Sequence, residues 1–379
     1  MQRDSGAPLY EFFAGGGLAR LGLEPDFACT FANDIDRAKA RAYRSAFGGA
    51  DLSEADIWSL RAADLPGRAA LAWASFPCQD VSLAGARGGL DAPRSGAFWG
   101  FHRLIEQLIV ADRAPPVLAL ENVCGLLSSR GGADFGALVE ALDRLGYRVG
   151  ALEIDAAHFV PQSRPRLFVV AIRTAAPRHL MLREPHAPFH TEAIQSAVAR
   201  LPERVRAKWI WWRLETAPKR NTQLADVLDE VGVEWRSEEQ TEQLIAQMSP
   251  LHRARLDALR ASGKAAVGAV FRRIRVEHGE RVQRAEVRFD GLAGCLRTPA
   301  GGSSRQLLVF VDNGAVRSRW LSPREAARLM GAPDHYPLPE SQTAALHLVG
   351  DAVCVPAVRW LSQHLLAPLA GAGAEAQSA

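Results

Sequence analysis

Long apolar runs are missing from this 379-residue chain. No stretch approaches ~18 uninterrupted apolar residues, so the sequence offers nothing to cross a membrane. Cysteine is scarce: Cys29, Cys78, Cys124, Cys295 and Cys354 are widely scattered and form no C-x-x-C pair. That pattern excludes the usual zinc spacing and a disulfide framework, and no metal is expected. A strong charge of one sign is lacking too, since a net +3 is too small to diagnose a partner. Residues 1–6 hold no apolar signal region, from which a cytoplasmic protein is expected. What remains is ordinary for a globular chain, 48% apolar and 23% charged. The length exceeds one comfortable core, so one large and one smaller domain are expected.

The first ~174 residues alternate strand and helix patterns. Apolar strand candidates are 8–13, 27–32, 69–75, 117–120 and 167–172; helical stretches are 37–47, 98–111 and 134–145. Such alternation predicts an α/β fold with a parallel, doubly wound, Rossmann-like sheet. The rhythm fails over 175–290, a stretch with Trp209-Ile210-Trp211-Trp212 and blocked charge. Residues 225–248 carry seven acids and one Arg; 251–276 carry seven bases and one acid. Either the two blocks pair as solvated faces, or the basic one follows a phosphate backbone through Arg272 and Arg273. Pattern returns at Ser322-Pro323-Arg324-Glu325, where Ser322 is an N-cap, Pro323 sits at N1, Glu325 closes a capping box and Gly331 is the C′ residue. The expected division is a catalytic domain over 1–175 and 345–370, a target-reading domain with its hinge over 176–344, and a disordered tail over 371–379.

Cys78 follows the apolar run 69–74 within Ser75-Phe76-Pro77-Cys78-Gln79. Pro77 ends the strand, leaving the thiol at a carboxyl edge, where open α/β sheets place their chemistry. A lone Cys is more often a small buried hydrophobe. The glycine-rich stretch 79–94 beside it reads as a loop able to close over a ligand. The first strand runs into Phe13-Ala14-Gly15-Gly16-Gly17, a tight turn that lets backbone approach a ligand; the third glycine of a dinucleotide fingerprint falls instead at Arg20. The second strand ends in Asp34, placed to hold a ribose diol, with Ile35 beside it to cover an adenine. Asp56-Ile57 offers an acceptor for the adenine amine. Without the pyrophosphate loop, an adenosyl sulfonium fits better than NAD.

Val117-Leu118-Ala119-Leu120 ends in Glu121-Asn122, a carboxylate that needs a partner if buried and is otherwise an exposed acid at a capped turn. Gln162-Ser163-Arg164-Pro165-Arg166 precedes the strand 167–172. Pro165 keeps Arg164 extended, so both arginines are expected on one side, as a clamp for a carbonyl or phosphate or simply solvated.

In this order the motifs resemble the DNA (cytosine-5) methyltransferase family: Phe13–Gly17 its cofactor loop, Phe76-Pro77-Cys78-Gln79 its nucleophile, Glu121-Asn122-Val123 its base-holder and Gln162–Arg166 its Gln-x-Arg-x-Arg motif. Arg297-Thr298-Pro299 onward to Arg305-Gln306, the stretch from Ser322, and Gly350-Asp351-Ala352-Val353 are also similar. Glu11 stands where Asp is commoner, and Asp351 replaces the more usual Asn. The resemblance implies a class I fold binding S-adenosylmethionine through Phe13, Ala14, Gly15, Gly16, Gly17, Asp34, Ile35, Asp56, Ile57, Pro77, Asp351 and Val353. It implies that Cys78 adds to cytosine C6, Glu121 holds N3 and the exocyclic amine, Arg164 binds O2 and favours the thiolate, and Arg166 steadies the motif. DNA contacts are expected at Gln79, Ser82, Arg87, Arg297, Ser303 and Ser304. Duplex DNA is the expected substrate, read by a monomer beside a candidate cognate restriction endonuclease. Structured RNA is the alternative substrate, and a catalytically dead DNA binder would lack residues that are present here.

Overall fold

The computed structural model describes residues 6–77, 96–277, 279–299 and 305–378. The chain divides into two compact units: the first is 1–155, 165–217 and 357–379, and the second 156–164 and 218–356.

The first unit alternates β1 (Ala7–Phe12), α1 (Leu18–Leu23), β2 (Phe27–Asp34), α2 (Arg37–Phe47), β3 (Leu52–Glu54), β4 (Leu71–Ala74), α3 (Ala97–Val110), β5 (Val117–Asn122), α4 (Ala133–Arg144), β6 (Arg148–Asp155) and β7 (Pro165–Ile172). Local signals set these helices. Asp36 caps α2 by accepting from the Ala38 and Lys39 N–H groups, and Gly48 ends it in a left-handed conformation. The seven strands lie in the order β3-β2-β1-β4-β5-β7-β6. β4 reads Leu-Ala-Trp-Ala with every residue buried, the continuous apolar run of a strand covered on both faces. The expected parallel sheet is in fact mixed: β7 runs antiparallel to both β5 and β6. A polar, half-alternating sequence hid β6 from the apolar-run search.

Residues 176–217, assigned from sequence to the target-reading domain, belong to the first unit. There β8 (Met181–Leu182) pairs with β9 (Trp211–Trp212), separated by α5 (Glu192–Ala199) and α6 (Glu203–Arg206). Trp212 is fully buried and its indole N–H donates to the Val170 carbonyl. A Cβ on Gly150 would come within 2.5 Å of that indole nitrogen, which is why β6 carries glycine there. Trp209 and Trp211 also pack on the core. Three of the four tryptophans expected to mark a DNA reader are thus core residues.

The second unit contains α7 (Glu238–Ala246), α8 (Pro250–Ser262), β10 (Ala266–Glu277), β11 (Glu280–Arg288), β12 (Leu307–Asp312), β13 (Ala315–Trp320), α9 (Pro323–Leu329) and α10 (Gln342–Asp351). Its four strands form an antiparallel sheet ordered β11-β10-β12-β13, packed on Leu244, Ile245, Met248 and Leu256. The capping box at Ser322 forms as expected, and Glu325 also ion-pairs with buried Arg319 at 2.6 Å. The acidic and basic blocks do not pair as helix faces. The basic run is split between α8 and β10, and Arg273 and Arg275 pair with Glu286 on β11 instead.

The chain closes with α11 (Val355–Leu361), a π-turn over Ser362–Leu366 and α12 (Ala367–Ser378). The expected disordered tail is therefore helical to Ser378. Within residues 342–373 an 18-residue window is apolar enough to be weighed as a membrane span, but 67% of that window is buried inside the protein, as in a core helix.

Candidate active site

In the first unit β1, β4 and β5 are parallel neighbours, so their carboxyl ends share one edge of the sheet. The glycine turn leaves β1 there, Pro77 follows β4 and Glu121 lies near the end of β5. Because β7 is reversed, its start reaches the same edge, and Arg166 arrives beside Glu121. This reversal places the Arg166 guanidinium 3.1 Å from the Glu121 carboxylate, with both side chains largely buried.

The turn is held from the second strand. Gly15 N–H donates to one Asp34 carboxylate oxygen at 2.8 Å, and Asp36 N–H donates to the other at 2.8 Å. Burial raises the Asp34 carboxyl above the usual range, opposed by these N–H groups and by Lys39. Gly17 has φ +80°, and a Cβ there would meet the Phe47 ring at 2.3 Å. Gly15, at φ +57°, faces open space, since a Cβ would meet nothing within 4 Å. Ile35 is 64% exposed at the strand tip. Asn33, to which sequence reasoning gave no role, donates to the Ser53 and Ala55 carbonyls and so places Asp56, exposed, with Ile57 buried behind it. Phe13 and Gly16 complete the turn, and Ala14 N–H donates to Asn33 O.

Below the turn lies a buried charged cluster. Glu11 is fully buried and accepts from the Arg20 N–H at 3.2 Å; the Arg20 guanidinium binds Glu24, Tyr43 and Asp51. Burial pushes the Glu11 carboxyl up to about 8, against the pull of Arg20. The Cys29 thiol nearby is pushed up by burial and by Glu11, and the Cys124 thiol after β5 by burial and by Glu153. Both stay protonated at neutral pH and make poor nucleophiles.

The two arginines of the Gln-x-Arg-x-Arg motif do not act together. Arg164 belongs to the second unit and is 2% exposed. One of its terminal nitrogens donates to the Leu296 carbonyl, the other to the Gly350 and Ala352 carbonyls. Arg164, expected to take a substrate carbonyl, directs its terminal nitrogens at these carbonyls and at the Cys295 sulfur, and Arg166 is the arginine beside Glu121. Pro165 does not align the pair; it stands where the chain passes from one unit to the other. Gln162 was quoted only as part of the motif, yet it accepts from Leu296 N–H and donates to the Leu329 carbonyl. Arg164 also braces the Gly350–Val353 turn, where Thr298 donates to the Asp351 carboxylate at 2.6 Å and Val353 is buried. Asn122 likewise went unassigned; its amide donates to the Phe76 carbonyl and so ties β5 to the segment before Cys78.

Cys78, Gln79, Ser82, Arg87, Ser303 and Ser304 lie outside the described residues. Arg297 is exposed in the second unit. Arg272 stacks over Trp320, whereas Arg273 faces Glu286, so the two do not form one cationic patch.

Residues 8–367 match the family of C-5 cytosine-specific DNA methylases. The chain is 26% identical to the type II methyltransferase M.NlaX of Neisseria lactamica, over 95% of this chain and 96% of that one. It is 25% identical to the type II methyltransferase M.HhaI of Haemophilus parahaemolyticus, covering 95% and 94%. Among solved structures, the Dnmt2 methyltransferase of S. pombe has the same fold, with a TM-score of 0.59 at 18% identity over 96% of this chain and 99% of that one.

Proposed function

The chain belongs to the C-5 cytosine-specific DNA methylase family, and from that premise we propose that it methylates a flipped cytosine within a specific duplex sequence, through a covalent bond between Cys78 and C6. Members of this family methylate cytosine in DNA with S-adenosylmethionine as donor. The observation that carries the reading is the buried Arg166–Glu121 pair at the same sheet edge as the glycine turn and the strand leading to Cys78.

The residues present suit the donor. Gly15 leaves a cradle open above the turn, Asp34 and Asp56 supply acceptors for ribose and adenine, and exposed Ile35 supplies an apolar cover. Pro77 would line the reacting side, and Asp351 and Val353 the remaining contacts. When bound, S-adenosylmethionine supplies an electrophilic methyl on a sulfonium.

Cytosine is a weak electrophile at C6 and a weak nucleophile at C5. Addition of the Cys78 thiolate to C6 makes an enamine whose C5 attacks the methyl. Glu121, sharing a proton with N3, holds N3 and the exocyclic amine; that proton moves onto N3 as addition pushes charge into the ring and returns to Glu121 when the thiolate is expelled. Arg166 fixes the Glu121 carboxylate and presents the donor for O2. The C5 proton then leaves to water and the thiolate is expelled. None of this is possible in the stack, so the base is flipped out of the duplex. The type II names of the relatives favour a cytoplasmic enzyme working beside a cognate endonuclease, and we read it as a monomer. Incubation with methyl-labelled S-adenosylmethionine and either duplex DNA or tRNA tests the reading: label is expected in duplex DNA, and label in tRNA alone would overturn it.

A further inference from the structure

The strands β10 and β11 extend past the core that covers their base. Val270, Ala285 and Val287 are buried, whereas Ile274 and Val276 farther along are 56% and 72% exposed. The register sets Arg272 opposite Ala285, Ile274 opposite Gln283 and Val276 opposite Arg281, so these six share one face. The other face holds Glu277, Glu280 and Glu286 with Arg273, Arg275 and Arg284. There the charges are internally matched: Glu286 pairs with Arg273 and Arg275, and Glu277 with Arg284. Among the described residues of the ribbon, the first face carries no carboxylate.

At its root three guanidinium groups gather around one indole. Arg272 and Arg305 lie 5.1 Å, and Arg236 6.0 Å, from the centre of the Trp320 ring. Burial lowers the basicity of all three, Arg272 lowers that of Arg236 further, and the Glu234 carboxylate opposes the shift at Arg305 alone. Like charges crowded in this way are relieved by an anion. Residues 272–286 carry five arginines against three glutamates, a bias that suits a polyanion.

A two-stranded ribbon fits the major groove of B-DNA, about 12 Å wide, and residues 272 to 276 rise roughly 13 Å. Gln and Arg are the side chains whose paired donors and acceptors read adenine and guanine there. Resting on the methyltransferase reading above, we propose that this face enters the major groove and selects the target sequence. Gln283 and Arg281 read base edges, Ile274 and Val276 pack against them, and the arginines around Trp320 seat a neighbouring phosphate.

The test uses the full-length enzyme on duplexes of randomised sequence, with methylated cytosines mapped by bisulfite sequencing. Gln283→Ala and Arg281→Ala are each expected to relax one position of the methylated sequence, lowering preference there by about 5- to 150-fold. Arg273→Ala and Arg275→Ala, on the matched face, leave the sequence unchanged. Arg272→Ala weakens binding to every duplex alike and lowers the salt slope by about 0.9. The proposal is overturned if Gln283→Ala and Arg281→Ala retain full selectivity, or lose methylation equally at all sequences while melting like the wild type. It is also overturned if the ribbon seats a second copy, seen as a dimer that Ile274→Asp splits with selectivity intact. A wild type that methylates no duplex would refute the proposed function itself, a distinct result.

Discussion

Arg164 and Arg166 stand two residues apart, and their surroundings differ in kind. Arg164 is enclosed by carbonyls of the second unit and braces the turns at Leu296 and at Gly350–Ala352. Arg166, at the start of a reversed strand of the first unit, pairs with the Glu121 carboxylate at a sheet edge. The same residue type, in one short motif, builds architecture in one place and a binding site in the other. Burial and partner decide the role, since a buried cation whose terminal nitrogens are taken by three backbone carbonyls and the Cys295 sulfur has little left to offer a substrate.

The largest expected effect lies with Cys78, the proposed nucleophile. Cys78→Ser should lower turnover by more than about 10³-fold, because binding and electrostatics alone remain. Binding of S-adenosylmethionine, measured by calorimetry, should stay near the wild-type value.

The two arginines themselves should separate cleanly. Arg164→Ala leaves three carbonyls without their donor and should cost about 3–5 kcal/mol of stability in denaturant unfolding. Arg166→Ala should melt within a few degrees of the wild type while kcat falls by about 10²-fold or more. If Arg164→Ala keeps its stability and loses kcat instead, the division of labour is reversed.

Asp34 is a milder case, because its oxygens already accept from backbone N–H groups. Asp34→Ala should weaken cofactor binding by about 1–3 kcal/mol and leave turnover at saturating cofactor largely intact. Unchanged affinity would place the ribose elsewhere.

Glu11 gives the gentlest effect, visible in pH dependence. Its carboxyl is raised from 4.5 to about 8 in the folded protein, so the native state holds a proton that the unfolded chain has lost between those values. Its contribution to stability is therefore fully present below pH 4.5 and is lost as pH rises through about 8. The slope is at most about 1.4 kcal/mol per pH unit. Glu11→Gln should flatten that part of the profile, and an unaltered slope would show that another group carries it.

Much of the first unit was legible because its signals are local. The glycine turn, the acid at the tip of β2, the helix over 37–47 and the Glu121 strand each follow from a few adjacent residues. What escaped was set by pairing over distance. β6 lacks a continuous apolar run, and the reversal of β7 shows only when its partners are known. Trp209, Trp211 and Trp212 read as part of a target-reading domain until Gly150 makes room for one of them in the core. Within the Gln-x-Arg-x-Arg motif, the resemblance assigned the substrate carbonyl to Arg164 and a supporting role to Arg166. Only the carbonyls at Leu296 and Gly350, more than 130 residues away, distinguish them. Charge blocks misled for the same reason: strand register, not proximity in sequence, brought Glu286 to Arg273 and Arg275.

The central claim, that Cys78 adds to C6 of a cytosine held by Glu121 and Arg166, is tested most directly with duplex DNA carrying 5-fluorocytosine at the methylated position. With S-adenosylmethionine present, the wild type is predicted to form a complex that survives denaturing electrophoresis, since fluorine cannot leave C5 as the proton does. Cys78→Ser should form none. A wild type that methylates ordinary duplex yet never yields that complex would contradict the account.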